Sequence, residues 1–193
     1  MKTRTLPIVL ASTLALGFLI SKLVGTSRAA TETPDYKVVR TDGKFEIRDY
    51  PALSLATTPM EGEGMNGGFG RLFRFITGNN AASEKIQMTT PVLINTSGSQ
   101  RTMSFIMSGK AVEKGLPNPS GESVSLGRVE AARFAVLRFG GGRTDENEKE
   151  AVEKLTAWLA AQKLEGKGEP VFAYYDPPWT PLFMRRNEVM IRL

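Results

Sequence analysis

The chain has 193 residues, 41% of them hydrophobic and 23% charged, the balance of a folded domain rather than a disordered one. Its net charge is +5, but Lys2, Arg4, Lys22 and Arg28 crowd the N-terminal end, where residues 1–30 hold no acids; the remaining 21 basic and 20 acidic residues leave no electrostatic footprint for nucleic acid. The absence of Cys and His excludes a disulfide framework, a thiolate or imidazole metal site, a cysteine nucleophile and a Ser-His-Asp triad.

The first element reads as an export signal. Lys2 and Arg4 precede an apolar stretch from Leu6 to Ile20, and Ser27-Arg28-Ala29 offers small residues where a signal peptidase cuts. Two readings stay open: residues 1–30 are a signal peptide that is removed, or the apolar stretch continues to Val24 past Lys22 and serves as a membrane anchor. Both place the domain in the periplasm or elsewhere outside the cytoplasm, touching a membrane only through the N-terminal segment if it is uncleaved. Residues 31–35 form a polar linker, and 36–193 the folded domain.

Within the domain Phe45-Glu46-Ile47-Arg48 alternates like a strand, and Leu53 and Leu55 begin a second. The glycines at 62, 64, 67 and 68 read as a flexible turn without phosphate-binding spacing. Phe69, Leu72, Phe73 and Ile76 then recur at helical spacing, with Gly78-Asn79-Asn80 as a stop. Strands follow at Met88–Ile94 and Met103–Met107, joined around Gly98. The same order returns: strands at Val124–Leu126 and Phe134–Phe139, a Gly140-Gly141-Gly142 break, a helix from about Asp145 with Val152, Leu155, Trp158 and Leu159 on its apolar face, then strands at Val171–Tyr175 and Val189–Leu193. Phe45 and Val124 are separated by the same interval as Pro91 and Pro170. This predicts an α+β domain made of two ββαββ copies about a pseudo-twofold axis, with a groove between sheet and helix.

Three stretches resemble the SOUL haem-binding family: Phe45-Glu46-Ile47-Arg48-Asp49-Tyr50-Pro51, Lys85-Ile86-Gln87-Met88-Thr89-Thr90-Pro91-Val92, and Tyr175-Asp176-Pro177-Pro178 followed by Arg185-Arg186-Asn187-Glu188-Val189. The resemblance spans Tyr36 to Leu193. It implies a distorted antiparallel β-barrel or pair of sheets with two main helices, and a tetrapyrrole (haem or a related porphyrin) bound weakly and reversibly in a shallow apolar groove. The cofactor-binding residues it implies are Phe69, Phe73 and Arg74 on the first helix and Trp179, Leu182 and Phe183 in the loop before the last strand. Some relatives have a basic residue where this chain has Thr180; Arg71, Arg74, Arg185 or Arg186 is left to meet a propionate. Without His or Cys, the conceivable iron ligands are Met65, Met88, Met184, Tyr174 and Tyr175. The expected role is a non-catalytic carrier or buffer with no metal site of its own. The duplicated unit is also similar to the GyrI-like ligand-binding fold, which raises two alternatives: a small-molecule hydrolase using a groove-facing Glu188 with Tyr174 or Tyr175, or a lipid- or peptide-binding module using the same groove. A buried Glu188 bonded to Arg185 or Arg186 would instead hold the fold together.

Overall fold

The computed structural model describes residues 31–60, 64–97, 100–121 and 123–193; the leader, its cleavage site, Gly62 and the turn at Gly98 lie outside them. The elements are β1 (Lys37–Asp42), β2 (Phe45–Tyr50), β3 (Leu53–Pro59), α1 (Gly64–Ile76), β4 (Val92–Ser97), β5 (Gln100–Ile106), α2 (Gly109–Lys114), β6 (Ser125–Val129), β7 (Ala132–Phe139), α3 (Asp145–Ala161), β8 (Lys167–Tyr174), a 3₁₀ turn (Leu182–Met184) and β9 (Asn187–Arg192). The strands form one sheet in the order β1-β2-β7-β9-β8-β4-β5-β3-β6, every neighbouring pair antiparallel. This corrects the implied barrel or pair of sheets: the sheet is open, with β1 and β6 as its edges. A third, short helix, α2, joins the two expected.

The duplication is written into the strand order. Exchanging β2 with β6, β3 with β7, β4 with β8 and β5 with β9 reads the sheet from β2 to β6 backwards, so a pseudo-twofold passes between β4 and β8. The registers agree. In the central ladder Val92 faces Tyr174 and Asn95 faces Val171. The step from Val92 to Val171 equals that from Asn95 to Tyr174, and both equal the step from Phe45 to Val124, so the ladder maps onto itself. Glu46 faces Val136, and their counterparts at the same interval, Ser125 and Thr57, face each other. The symmetry breaks once. Ala56 faces Phe105, and its counterpart Ala135 faces Ile191, but the step from Phe105 to Ile191 is longer by seven than the step from Ala56 to Ala135. The second copy therefore has seven extra residues. Since β8 keeps the common interval as far as Tyr174, they lie in the β8–β9 connection.

Strand alternation sends successive side chains to opposite faces. On one face Ile47, Ile94, Met103, Phe105, Phe172, Tyr174, Val189 and Ile191 share a core with Leu72, Phe75 and Ile76 of α1 and Ala151, Leu155, Trp158 and Leu159 of α3. The other face carries a smaller cluster of Tyr50, Val136, Ala173, Tyr175 and Met190, with no helix residue in it. Trp158 is core as its helical position predicts: it stacks on Phe45 at 5.0 Å and its indole N–H donates to Asp42 at 2.8 Å. Thr144 caps α3 by accepting from the Asn147 N–H, and Asp145, Glu146 and Glu148 in the first turn suit the helix dipole.

Three expectations shift. Gly64, Gly67, Gly68 and Gly70 lie inside α1 rather than in a turn. Gly67 and Gly68 are buried, and a Cβ on Gly68 would sit 3.6 Å from Met103 and Met60 side chains, so packing on β5 outweighs poor helix propensity. The fourth strand begins at Val92, not Met88, because the Thr89 hydroxyl donates to the Ile106 carbonyl and the Thr90 N–H to the Glu32 carbonyl; the Thr90–Pro91 bond is cis. β1 has no sequence forecast: all six of its residues are exposed and its register slips between Val38 and Arg40, so no alternation marks it.

Candidate functional site

The first helix buries Leu72, Phe75 and Ile76 and leaves a second apolar stripe outside. Phe69 and Phe73, one turn apart, are 38% and 44% exposed and stack with centroids 5.7 Å apart; Phe69 also meets the Phe105 ring edge-on at 5.4 Å. The pair forms an aromatic ledge anchored to the core at one end and open to solvent at the other. Large apolar side chains grouped in this way mark a binding surface more often than isolated ones do.

The four arginines left to meet an anion differ in their engagements. Arg71 donates to the Thr58 hydroxyl and the Pro59 carbonyl. Arg185 donates to the Thr180 and Pro178 carbonyls, and Arg186 to Glu188. Arg74 is exposed, follows directly on Phe73, and has no side-chain partner among the described residues.

The loop half of the expected site is the β8–β9 connection that carries the seven extra residues. Trp179, Leu182 and Phe183 are 82%, 55% and 86% exposed. Among the described residues no ring contact joins Trp179 or Phe183 to Phe69 or Phe73: the two helix rings stack on each other, and the three loop side chains are exposed to solvent. Thr180 points inward: it is buried, its N–H donates to Pro177 and its carbonyl accepts from Arg185. Asp176 accepts the Arg186 backbone N–H at 2.6 Å, and Arg143 donates to the Asp176 carbonyl at 2.9 Å.

Between the helices lies a polar cluster that sequence reasoning did not find. Glu148 accepts from the Tyr174 hydroxyl and, at 2.8 Å, from Arg101; Arg143 lies 4.4 Å over the Tyr174 ring. Burial, then the hydrogen bond and charge of Glu148, hold the Tyr174 phenol well above its ordinary range. Both Glu148 oxygens are occupied, which leaves no free base. Only the helical period could have hinted at this inward acid, and the cap at Thr144 explains its place in the first turn equally well.

Glu188 is fully buried on the opposite face of the sheet. Arg48 donates to both its oxygens at 2.7 and 3.1 Å, Arg186 to one at 2.7 Å, and the Tyr175 hydroxyl to the other at 2.9 Å. Arg48 lies over the Tyr36 ring at 4.4 Å and Arg186 over the Tyr175 ring at 4.0 Å. Burial disfavours the charge on Glu188, but the Arg48 hydrogen bonds and the Arg48 and Arg186 charges outweigh it and hold the carboxyl below the usual range. This is the fold-holding arrangement, with Glu188 turned away from the helix-covered face. Arg186 takes part and Arg185 does not.

Of the conceivable iron ligands, Tyr174 and Tyr175 are buried with their hydroxyls given to carboxylates, and Met88 packs against the core. The Met65 side chain lies outside the described residues. No cluster of three or more acids able to hold a metal ion occurs among the described residues. A surface depression of about 440 Å³ lies elsewhere, lined by Asp49, Tyr50, Ala131, Ala132, Arg133 and Leu193. It holds the exposed Asp49–Arg133 ion pair and lacks an aromatic ledge, so we place the candidate site at α1.

The fold and ledge define an α+β, duplicated sheet-and-helix protein with an open ligand surface. The model of the SOUL heme-binding protein family matches residues 31–192, and the chain belongs to that family. Heme-binding protein 1 of Xenopus laevis is 25% identical over 155 residues, covering 75% of this chain and 81% of that protein. Among solved structures, the EcmrR C-terminal domain superposes with a TM-score of 0.57 at 10% identity, covering 81% of this chain and 96% of that one. A hydrolase from Listeria innocua gives 0.56 at 10% identity, covering 79% and 93%. At such identities these two likenesses show a shared fold alone.

Proposed function

We propose that this protein is a non-catalytic tetrapyrrole carrier or buffer that works outside the cytoplasm and holds its ligand against α1 without a His ligand to iron. The observation that carries the reading is the stacked, half-exposed Phe69–Phe73 ledge, with Arg74 of the same helix exposed and without a side-chain partner among the described residues. A tetrapyrrole supplies a flat apolar face and, in haem, two propionates; the ledge suits the first and Arg74 the second. Trp179, Leu182 and Phe183 complete the site by covering the ligand's outer face. With no tyrosine hydroxyl free among Tyr174 and Tyr175 and no imidazole in the chain, apolar contact and one ion pair hold the ligand, which makes binding weak and reversible.

A hemin titration of residues 31–193 tests this, following the Soret band and tryptophan quenching. The expected result is saturable one-to-one binding, weakened by Phe73→Ala and by Trp179→Ala. Linear, unsaturable uptake that neither variant changes would overturn it.

A further inference from the structure

The β8–β9 loop has a property that a ligand groove does not require. Its three apolar side chains are presented to solvent by a braced backbone. Pro177, Pro178 and Pro181 restrict the chain. The Arg185 guanidinium ties the Pro178 and Thr180 carbonyls together, the Thr180 N–H closes on Pro177, and the Met184 N–H closes on Pro181. The Gly141 N–H donates to the Leu182 carbonyl at 3.2 Å, pinning the loop to the turn before α3. Trp179, Leu182 and Phe183 thus stand outward on a fixed support, where a merely unburied loop would have turned at least one of them inward. Seven residues of this connection have no counterpart in the first copy of the repeat, so the fold does not need them.

The charged groups around the tip are hydrogen-bonded within the loop and its base. Asp176 takes the Arg186 N–H, Arg185 is engaged by carbonyls, and Arg186 is engaged by Glu188. What projects is Trp, Leu and Phe with no free cation among them, the set that enters the boundary between headgroups and acyl chains.

The position of the loop fits the same partner. β4 starts where β8 ends, since Val92 faces Tyr174. Thr89, three residues before Val92, bridges to Glu32. The described chain therefore enters the domain at the end of the sheet from which the loop leaves. On the anchor reading, in which the apolar stretch runs to Val24, only a short segment of chain separates that stretch from Glu32.

We infer that the tip of the β8–β9 loop, Trp179, Leu182 and Phe183, inserts into the interface of a lipid bilayer and docks this end of the domain on a membrane surface. The same three side chains cover the tetrapyrrole in the reading above, so a single molecule does one or the other at a time; docking itself does not require that reading to hold. Binding should extend to neutral phosphatidylcholine, because apolar insertion and not charge attraction drives it.

The test uses the full chain with phosphatidylcholine vesicles and reads Trp179 as the difference in emission between the wild type and Trp179→Phe; Trp158, on the buried face of α3, is common to both. The expected result is a blue shift on adding vesicles, quenching by lipids brominated high in the acyl chain, and no change between low and high salt. A Leu182→Ser, Phe183→Ser double variant lowers the vesicle-bound fraction of Trp179 signal about tenfold. Its melting temperature stays near the wild-type value, since both side chains are exposed. A difference spectrum that vesicles leave unchanged overturns the inference. So does binding confined to anionic vesicles and lost with salt, which would place the contact on charge elsewhere in the chain. The hemin titration is independent: a protein that fails there and still shows the Trp179 shift retains this inference alone.

Discussion

The two faces of the sheet use the same residue types to opposite ends. On the face without helices, Arg48, Arg186 and Tyr175 converge on Glu188 while the Tyr50 hydroxyl accepts from Arg48, and every polar atom at the centre has a partner. On the helix-covered face, Phe69 and Phe73 stack on α1 with their outer surfaces open, and Arg74 of the same helix is exposed. Arginine with aromatics is therefore no signature of function in itself. Satisfaction separates the two: a closed set of bonds holds strands together, while an exposed guanidinium and an uncovered apolar face await a partner.

Removing Glu188 breaks the comparison hardest. Glu188→Ala removes the bidentate partner of buried Arg48, leaving only the partly exposed Glu46 as counter-charge, and should cost about 3–5 kcal/mol in urea unfolding. A loss below about 1 kcal/mol would show that the network does not hold the fold.

Acid should act through the same residue. The folded carboxyl of Glu188 is depressed, so its contribution is complete above the unfolded value of about pH 4 and is lost as pH falls through the lower folded value. The wild type should lose stability steeply below about pH 4, and Glu188→Gln should show a shallower acid limb.

Base should act through the phenols. Burial raises Tyr50 to about 12 and pushes Tyr174 and Tyr175 higher. Raised folded values mean stability that is complete below the unfolded value, about 10, and is lost as pH climbs through the folded ones. Phenolate absorbance of these three tyrosines should therefore appear only with alkaline unfolding. Their ionisation near pH 10 in the folded protein would mean that the bonds to Arg48, Glu148 and Glu188 are not made.

The open side should respond in binding rather than in stability. Phe73→Ala should weaken hemin binding about tenfold while costing under about 1 kcal/mol of stability, since nearly half the ring is already in water. Arg74→Ala should have the smallest effect, a few-fold in hemin affinity that fades with salt and no measurable change in melting. If Arg74→Ala lowers stability as much as Phe73→Ala, the two faces do not divide the labour in this way.

The sequence by itself determined the plan of the domain. Period-two and period-3.6 patterns marked eight of the nine strands and both long helices, and the constant interval between matching residues implied the pseudo-twofold that the central β4–β8 ladder obeys. It also limited the chemistry, because a chain without His or Cys has few ways to hold iron. The tertiary structure decided the rest. Alternation says that Glu188 and Val189 lie on opposite faces of their strand, but not which face a helix covers, so Glu188 was open to either role. Its partner Arg48 lies in β2, far away along the chain, and no local pattern reports such a pairing. The glycines of α1 read as a turn because propensity is local, whereas the Met103 side chain that makes them helical belongs to another strand. Which arginine stays free, and which aromatics stay in water, is settled only when every competing partner is in place.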